Sequence, residues 1–364
     1  MEWLHHENPC TWSGELTKAQ SQAAQRITNA VINKEKELLC WAVCGAGKTE
    51  MLFPGMTEAL KQGKRVCIAT PRADVVRELL PRIREAFSRV YVQGLYGGSK
   101  DNDATAQIII ATTHQLLRFS AAFDLLIIDE IDAFPFHADR SLPFAANRAR
   151  KPIHTTIYLT ATPRPKQRLQ IARKKLPHIF VPIRFHGHPL PVPRLKMCLS
   201  LQKHLLKHLP PTAFMTWLTN RENKDRQVLL FVPSIELAEK LRDNLIRLLV
   251  RESIIKEEDD VITVHAGDKD REEKVQQFRQ KRISFLITTT ILERGVTFPS
   301  VDVVVLDAGH DVFDEAALVQ IAGRAGRSPD DPTGEVLFIH DGKTESMVQA
   351  VRSIITMNKR GGFH

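Results

Sequence analysis

Apolar positions along this chain gather into short, β-branched runs of strand length, and stretches with helical spacing separate them. That alternation predicts repeated strand–helix–strand units and therefore an α/β fold with mostly parallel sheets flanked by helices. In the first half the spacing predicts strands at Leu38–Val43, Arg65–Ala69, Val90–Leu95, Gln107–Thr112, Asp124–Asp129 and Thr155–Thr160. The second half predicts them at Leu195–Leu199, Gln227–Val232, Val261–His265, Ser284–Thr288, Val301–Leu306 and Glu335–Ile339. Between the halves, Pro182, Pro189, Pro191 and Pro193 crowd a stretch that supports neither a helix nor a central strand. We therefore expect a first domain over 1–185, an extended linker over 186–195 and a second domain over 196–364. The halves are alike in architecture and unlike in sequence.

Length agrees with this division, because 364 residues suffice for two domains with separate cores. With 43% apolar and 26% charged residues, the composition is that of a globular protein rather than a disordered one. No run approaches the ~20 apolar residues that span a bilayer. The first residues, Met1-Glu-Trp-Leu-His-His-Glu, lack the cationic start and apolar core of a secretory signal, so a cytoplasmic location is expected. The formal charge of +9 favours a polyanionic partner, although a generically basic enzyme would carry it too. Of the five cysteines, Cys40 and Cys67 lie within strand runs and read as core residues. No Cys-x-x-Cys pair exists, and His5, His6 and Cys10 lack a fourth ligand, so no zinc site is expected.

Three segments carry chemistry. Ala42-Val-Cys-Gly-Ala-Gly-Lys-Thr49 follows the first strong strand and precedes a helix. Small residues at Gly45, Ala46 and Gly47 let backbone N–H groups face a phosphate at the helix N-terminus. Lys48 can reach the β- and γ-phosphates, and the Thr49 hydroxyl can ligate Mg²⁺. Pro54-Gly55 follows soon after and predicts a kink in that helix. Leu125-Leu-Ile-Ile-Asp-Glu-Ile-Asp132 is an apolar strand ending in carboxylates. Asp129 is placed to hold Mg²⁺ and Glu130 to activate the attacking water. Gln320-Ile-Ala-Gly-Arg-Ala-Gly-Arg327 spaces two arginines three apart, which on a helix would put Arg324 and Arg327 on one face. A guanidinium is a permanent bidentate donor to phosphate, and the small residues between the arginines permit close backbone approach.

These segments together resemble a superfamily 2 helicase, with nearly every motif in order from about residue 12 to 340. Leu16-Thr-Lys-Ala-Gln20 resembles the adenine-reading motif, which implies that Gln20 meets the base; Trp12 either stacks on that base or packs in the core. Thr70-Pro71-Arg72 and Thr112-Thr-His-Gln115 resemble strand-contacting loops. Thr160-Ala-Thr162 resembles the segment that couples hydrolysis to strand binding. Phe231-Val-Pro-Ser234 and Thr289-Thr-Ile-Leu-Glu-Arg-Gly-Val296 resemble the motifs that follow. The resemblance implies two RecA-like domains with the nucleotide cleft between them. It also implies Lys48, Asp129, Glu130, Gln320, Arg324 and Arg327 in catalysis, and Arg72, Thr113 and Thr289 on the nucleic-acid backbone.

Closer still is the bacterial late competence family ComFA, related to the primosomal replication-restart helicase. The likeness rests on Trp41–Glu50, Ala69–Val75, Thr112–Phe119 and Ile127–Pro135. It implies a DNA-dependent ATPase that translocates single-stranded DNA during natural transformation. Implied partners are a membrane DNA channel and the phosphoribosyltransferase-like ComFC, and the implied location is the cytoplasm or the inner face of the cell membrane. Members of that family carry a four-cysteine zinc module ahead of the motor, and the present sequence contains none. The alternatives are an RNA-remodelling ATPase of the DEAD-box kind, a degenerate DNA-binding scaffold, and a translocating subunit of a restriction machine.

Overall fold

In a computed structural model, which describes residues 3–99, 104–136, 138–293 and 296–363, the chain divides into two compact units, Met1–Gly187 and His188–His364. In the first unit α1 (Lys18–Ile32) leads into β1 (Glu37–Ala42), α2 (Lys48–Lys61), β2 (Val66–Thr70), α3 (Ala73–Ala86), β3 (Val92–Leu95) and β4 (Ile108–Thr112). Then come β5 (Phe123–Ile128), α4 (Ser141–Ala149), β6 (Arg150–Thr160), α5 (Pro165–Ala172) and β7 (His178–Val181). The sheet runs β3-β4-β2-β5-β6-β1-β7, with every pairing parallel. β2, β4 and β5 are apolar on both faces because helices cover both faces of a parallel sheet. Leu39, Cys67, Ala69, Ile109, Leu126 and Leu142 share one core cluster. Burial pushes the Cys40 thiol up to about 12 and raises that of Cys67 as well, so both remain protonated core residues.

The second unit contains β8 (Arg194–Met197), α6 (Leu201–Leu206), α7 (Thr212–Asn220), β9 (Gln227–Phe231), α8 (Ile235–Arg251) and β10 (Val261–Val264). It continues with α9 (Arg271–Arg279), β11 (Phe285–Thr288), β12 (Val301–Leu306), α10 (Glu315–Ala322), β13 (Val336–His340) and α11 (Glu345–Arg360). Its sheet, β10-β11-β9-β12-β13-β8, is again parallel throughout. Leu237, Leu241, Leu245 and Leu249 on α8 pack with Leu230, Val304 and Ile339 of the sheet. Leu190, inside the proline-rich stretch, is buried and exchanges two hydrogen bonds with the Asn358 side chain of α11. Its backbone thus lies docked on the second unit.

Each of the twelve strands expected from the apolar runs is present, displaced at its ends by a few residues at most except β6, whose start is five residues earlier. β7 was not foreseen: it is a short edge strand, only partly buried, that pairs with β1 and so needs no two-faced apolar run. α2 continues through Pro54 to Lys61. Gly55 is there for a packing reason, since a Cβ would stand 2.8 Å from Ile27 Cγ2, where α1 lies against α2. Among the described residues no helix is long and apolar enough to cross a membrane.

Candidate active site

In a parallel sheet every strand ends on the same edge, and the crossover connections start there. The segments at 43–47, 70–72, 113–118, 129–132 and 160–164 leave the carboxyl ends of β1, β2, β4, β5 and β6, so the topology gathers them on one edge of the first unit. Gly45 has φ +80° and Gly47, the N-cap of α2, has φ +71°. Both angles lie in the left-handed region, where glycine carries no Cβ penalty. A side chain at Gly47 would in addition stand 2.2 Å from Gln20 Nε2. Lys48 and Thr49 then begin α2, where the helix dipole and the first N–H groups favour an anion.

The loop is clasped from outside. Gln20 Nε2 donates to Ala46 O at 3.0 Å, while Gln20 Oε1 accepts from Thr17 N at 2.8 Å in the capping box of α1. Both ends of the Gln20 amide are therefore engaged with protein, and the residue is buried. Trp12 meets Phe53 of α2 edge-on, with centroids 5.4 Å apart. On the other side Arg184 Nε donates to Cys44 O at 3.4 Å and Phe185 N to Gly45 O at 2.9 Å. Neither Arg184 nor Phe185 belongs to a recognisable motif, and nothing in their sequence spacing marks them.

β5 delivers the carboxylates. Asp129 Oδ1 accepts from Glu130 N at 2.8 Å, and Glu130 adopts φ +53°. A left-handed non-glycine residue at the end of a strand costs on the order of 1–3 kcal/mol and is held by its surroundings, which is common where a side chain must be aimed. Burial pushes the Asp129 carboxyl up to about 6; Lys48 opposes the shift, while Glu130 and Asp132 add to it. One hydroxyl from Thr49 and one carboxylate from Asp129 suit Mg²⁺, which completes its shell with water and substrate phosphates rather than with a protein cage. Among the described residues no group of three or more His, Cys, Asp or Glu side chains could hold a metal by itself.

Asp132, fully buried, ties this strand end to its neighbour. Its two carboxylate oxygens accept from Thr160 Oγ1 at 2.5 Å and Thr162 Oγ1 at 2.7 Å. Arg164 Nη2 donates to the Asp132 carbonyl at 2.7 Å, and Trp41 Nε1 to Ala161 O at 3.1 Å. The residues after Glu130 and the Thr-Ala-Thr segment therefore form one polar unit. Asp132 stands in the acidic segment, but its partners come from a strand nearly thirty residues away, so sequence inspection did not assign it a role. Of the nucleic-acid candidates in this unit, Arg72 caps α3 and is half-buried. Thr113 is fully buried, and its hydroxyl lacks a hydrogen-bond partner. On that turn His114, Leu117 and Arg118 are the exposed residues.

In the second unit α10, capped by Asp314 Oδ1 accepting from Ala317 N at 2.8 Å, ends at Ala322. The expected placement of Arg324 and Arg327 on one helical face is corrected by this early end. The chain turns through 323–326, with Gly326 at φ +60°, so the two arginines leave a turn rather than a helix. Arg324 is 1% exposed, and its Nε and Nη2 donate to Glu293 O at 2.9 and 2.6 Å. Arg327 is half-buried; it donates to Gly323 O at 3.0 Å and to Thr297 Oγ1 at 3.3 Å. Gln320 is buried on α10, and Thr289 is partly exposed beyond β11. Arg294 and Gly295 of the same segment lie outside the described residues. Gly334 supports the turn: a Cβ there would stand 2.8 Å from Val301 O, 3.0 Å from Ala325 Cβ and 3.1 Å from Gly326 N.

Two family models match the chain. Residues 13–165 match the family described as type III restriction enzyme, res subunit, and residues 206–329 match the helicase conserved C-terminal domain. Competence protein ComFA of Bacillus subtilis is 48% identical over 96% of this chain and 73% of its own length. ComFA of Streptococcus pneumoniae is 38% identical over 97% and 79%. Among solved structures, Saccharomyces cerevisiae Dbp5 bound to RNA and ADP–BeF3 superimposes with a TM-score of 0.67 at 18% identity, covering 94% of this chain and 88% of that one. Each unit is thus a RecA-like domain.

Two substitutions test the geometry. Asp132→Ala would strand two buried hydroxyl donors and should destabilise the protein by about 1–3 kcal/mol in denaturant unfolding. A loss no larger than that of a surface change would remove the carboxylate from its bridging role. Gly334→Ala should displace the arginine turn and lower ATP turnover on the order of 10²-fold, with nucleotide binding nearly unchanged. Wild-type turnover would show that the turn tolerates the shift.

Proposed function

Because this chain belongs to the ComFA family of competence proteins, helicase-type ATPases of superfamily 2, we propose that it is a single-stranded DNA translocase that helps draw transforming DNA into the cytoplasm. The observation that carries the reading is the gathering of Lys48, Thr49, Asp129 and Glu130 at one sheet edge, joined through Asp132 to Thr160 and Thr162. In this reading Lys48 neutralises the β- and γ-phosphates, Thr49 and Asp129 hold Mg²⁺, and Glu130 orients the attacking water. Arg324 and Arg327 supply positive charge to the γ-phosphate when the second domain closes on ATP, and Gln320 assists from α10. The loop at 45–49 holds the nucleotide, and Gln20, engaged with Ala46 O and Thr17 N, meets the adenine base only if its amide is released from them. After hydrolysis the γ-phosphate no longer bridges the two domains, and they part.

Charge distribution supports a polyanionic track. From Arg140 to Arg221 the chain contains no aspartate or glutamate, against sixteen lysines and arginines. The remainder holds 35 basic and 42 acidic residues, so the entire basic surplus lies in this one stretch. Phosphate contacts position a strand without reading its bases, so binding should be sequence-neutral and salt-sensitive. Arg72 and Thr289 are the candidates for such contacts, with Thr113 acting only if its turn opens. The proposed partners are single-stranded DNA, a membrane DNA channel and ComFC, with the protein at the inner face of the cell membrane.

ATP turnover measured with and without single-stranded DNA should rise with DNA, and Lys48→Ala should abolish it. Stimulation by RNA alone would favour the RNA-remodelling alternative, and no turnover at all would favour a binding scaffold. Glu130→Gln should retain ATP binding while stopping hydrolysis; equal loss of both would remove Glu130 from the chemical step.

A further inference from the structure

Three consecutive carbonyl oxygens of the phosphate loop are held from outside it. Cys44 O accepts from Arg184 Nε at 3.4 Å, Gly45 O from Phe185 N at 2.9 Å, and Ala46 O from Gln20 Nε2 at 3.0 Å. In a planar trans peptide the C=O and the following N–H point in opposite directions. Anchoring the carbonyls of Cys44 and Ala46 therefore turns the N–H groups of Gly45 and Gly47 toward the opposite face, where a phosphate is cradled. The intervening Ala46 N–H closes the turn on Val43 O at 3.2 Å. The loop's conformation is thus set by donors that lie far apart in the sequence.

Arg184 is the unusual member of the set. It is 2% exposed, among the largest fully buried side chains of the protein. Its stem lies along Gly45, where a Cβ would stand 3.7 Å from Arg184 Cγ and 3.5 Å from Nε. A guanidinium cannot shed its charge, so this position also fixes a positive charge beside a loop that receives a polyanion. Val43 N–H donates to Val181 O at 3.1 Å, so β7 and the residues directly after it follow the loop from its first residue.

We propose that Arg184 is a positioning residue for ATP binding, which with Phe185 presets the phosphate loop from the chain segment leaving the first domain. The inference rests on the ATP-site reading above and names a group that no motif contains. The first domain ends at Gly187, a few residues beyond Arg184 and Phe185.

The test uses the full chain with Arg184→Ala and Arg184→Lys, and Lys48→Ala as control. Binding of a fluorescent ATP analogue, KM and kcat for ATP, and melting temperature with and without nucleotide are measured. Loss of a charged donor should raise both KM and the analogue's dissociation constant about tenfold in Arg184→Ala. kcat should change by less than about threefold, the pattern of lost ground-state binding. Arg184→Lys keeps the charge and most of the stem, so it should melt near the wild type while binding ATP with intermediate affinity. Wild-type affinity in both variants would overturn the proposal. So would a fall in melting temperature with KM unchanged, which would make Arg184 a packing residue. Turnover by Lys48→Ala would instead remove the ATP-site reading, and this inference with it.

Discussion

Both sheets are parallel in every pairing, and that constraint governs where chemistry can sit. Parallel neighbours need a crossover, so the strands of each sheet hand their chain to a connecting segment at the same edge. In the first domain this collects a phosphate loop, an acidic strand end and a hydroxyl pair from three strands that are spatial neighbours, β1, β6 and β5. The sheet buries their bases and leaves their tips polar. A rigid base under short loops is what preorganised phosphate chemistry requires.

Within that edge the polar groups are linked rather than merely adjacent. The Asp132 carboxylate takes both threonine hydroxyls of the β6 terminus, and Glu130, two residues earlier, is held in a left-handed conformation beside Asp129. A shift of the 160–162 segment would therefore be felt at the strand end that bears Asp129 and Glu130. The link is buried, so its hydrogen bonds are not screened by solvent and breaking one leaves a desolvated partner.

The second domain places its arginines by another device. α10 stops at Ala322, and the turn that follows rests on Gly334 and the start of β12, with Arg324 tied to the Glu293 carbonyl. Burying a guanidinium with two of its nitrogens on the Glu293 carbonyl orients it firmly. Ala325 and Gly326 lie close against Gly334, although the helical face on which the arginines were expected is absent.

Fold class, strand positions and the acidic and glycine-rich segments were legible along the chain because each depends on local spacing. Apolar runs report burial, glycines report positive φ, and a carboxylate after a strand reports a strand tip. The edge strand β7 escaped because a half-covered strand leaves little pattern. The end of α10 escaped because Gly-Arg-Ala-Gly reads equally well as helix or turn. Asp132's partners, the burial of Thr113, and the grip of Gln20, Arg184 and Phe185 on the phosphate loop were decided only in three dimensions. Each depends on which elements lie side by side, and the sequence determined the strands but not their order in the sheet; only the packed fold brings Gln20 within hydrogen-bonding distance of Ala46 and Arg184 within that of Cys44.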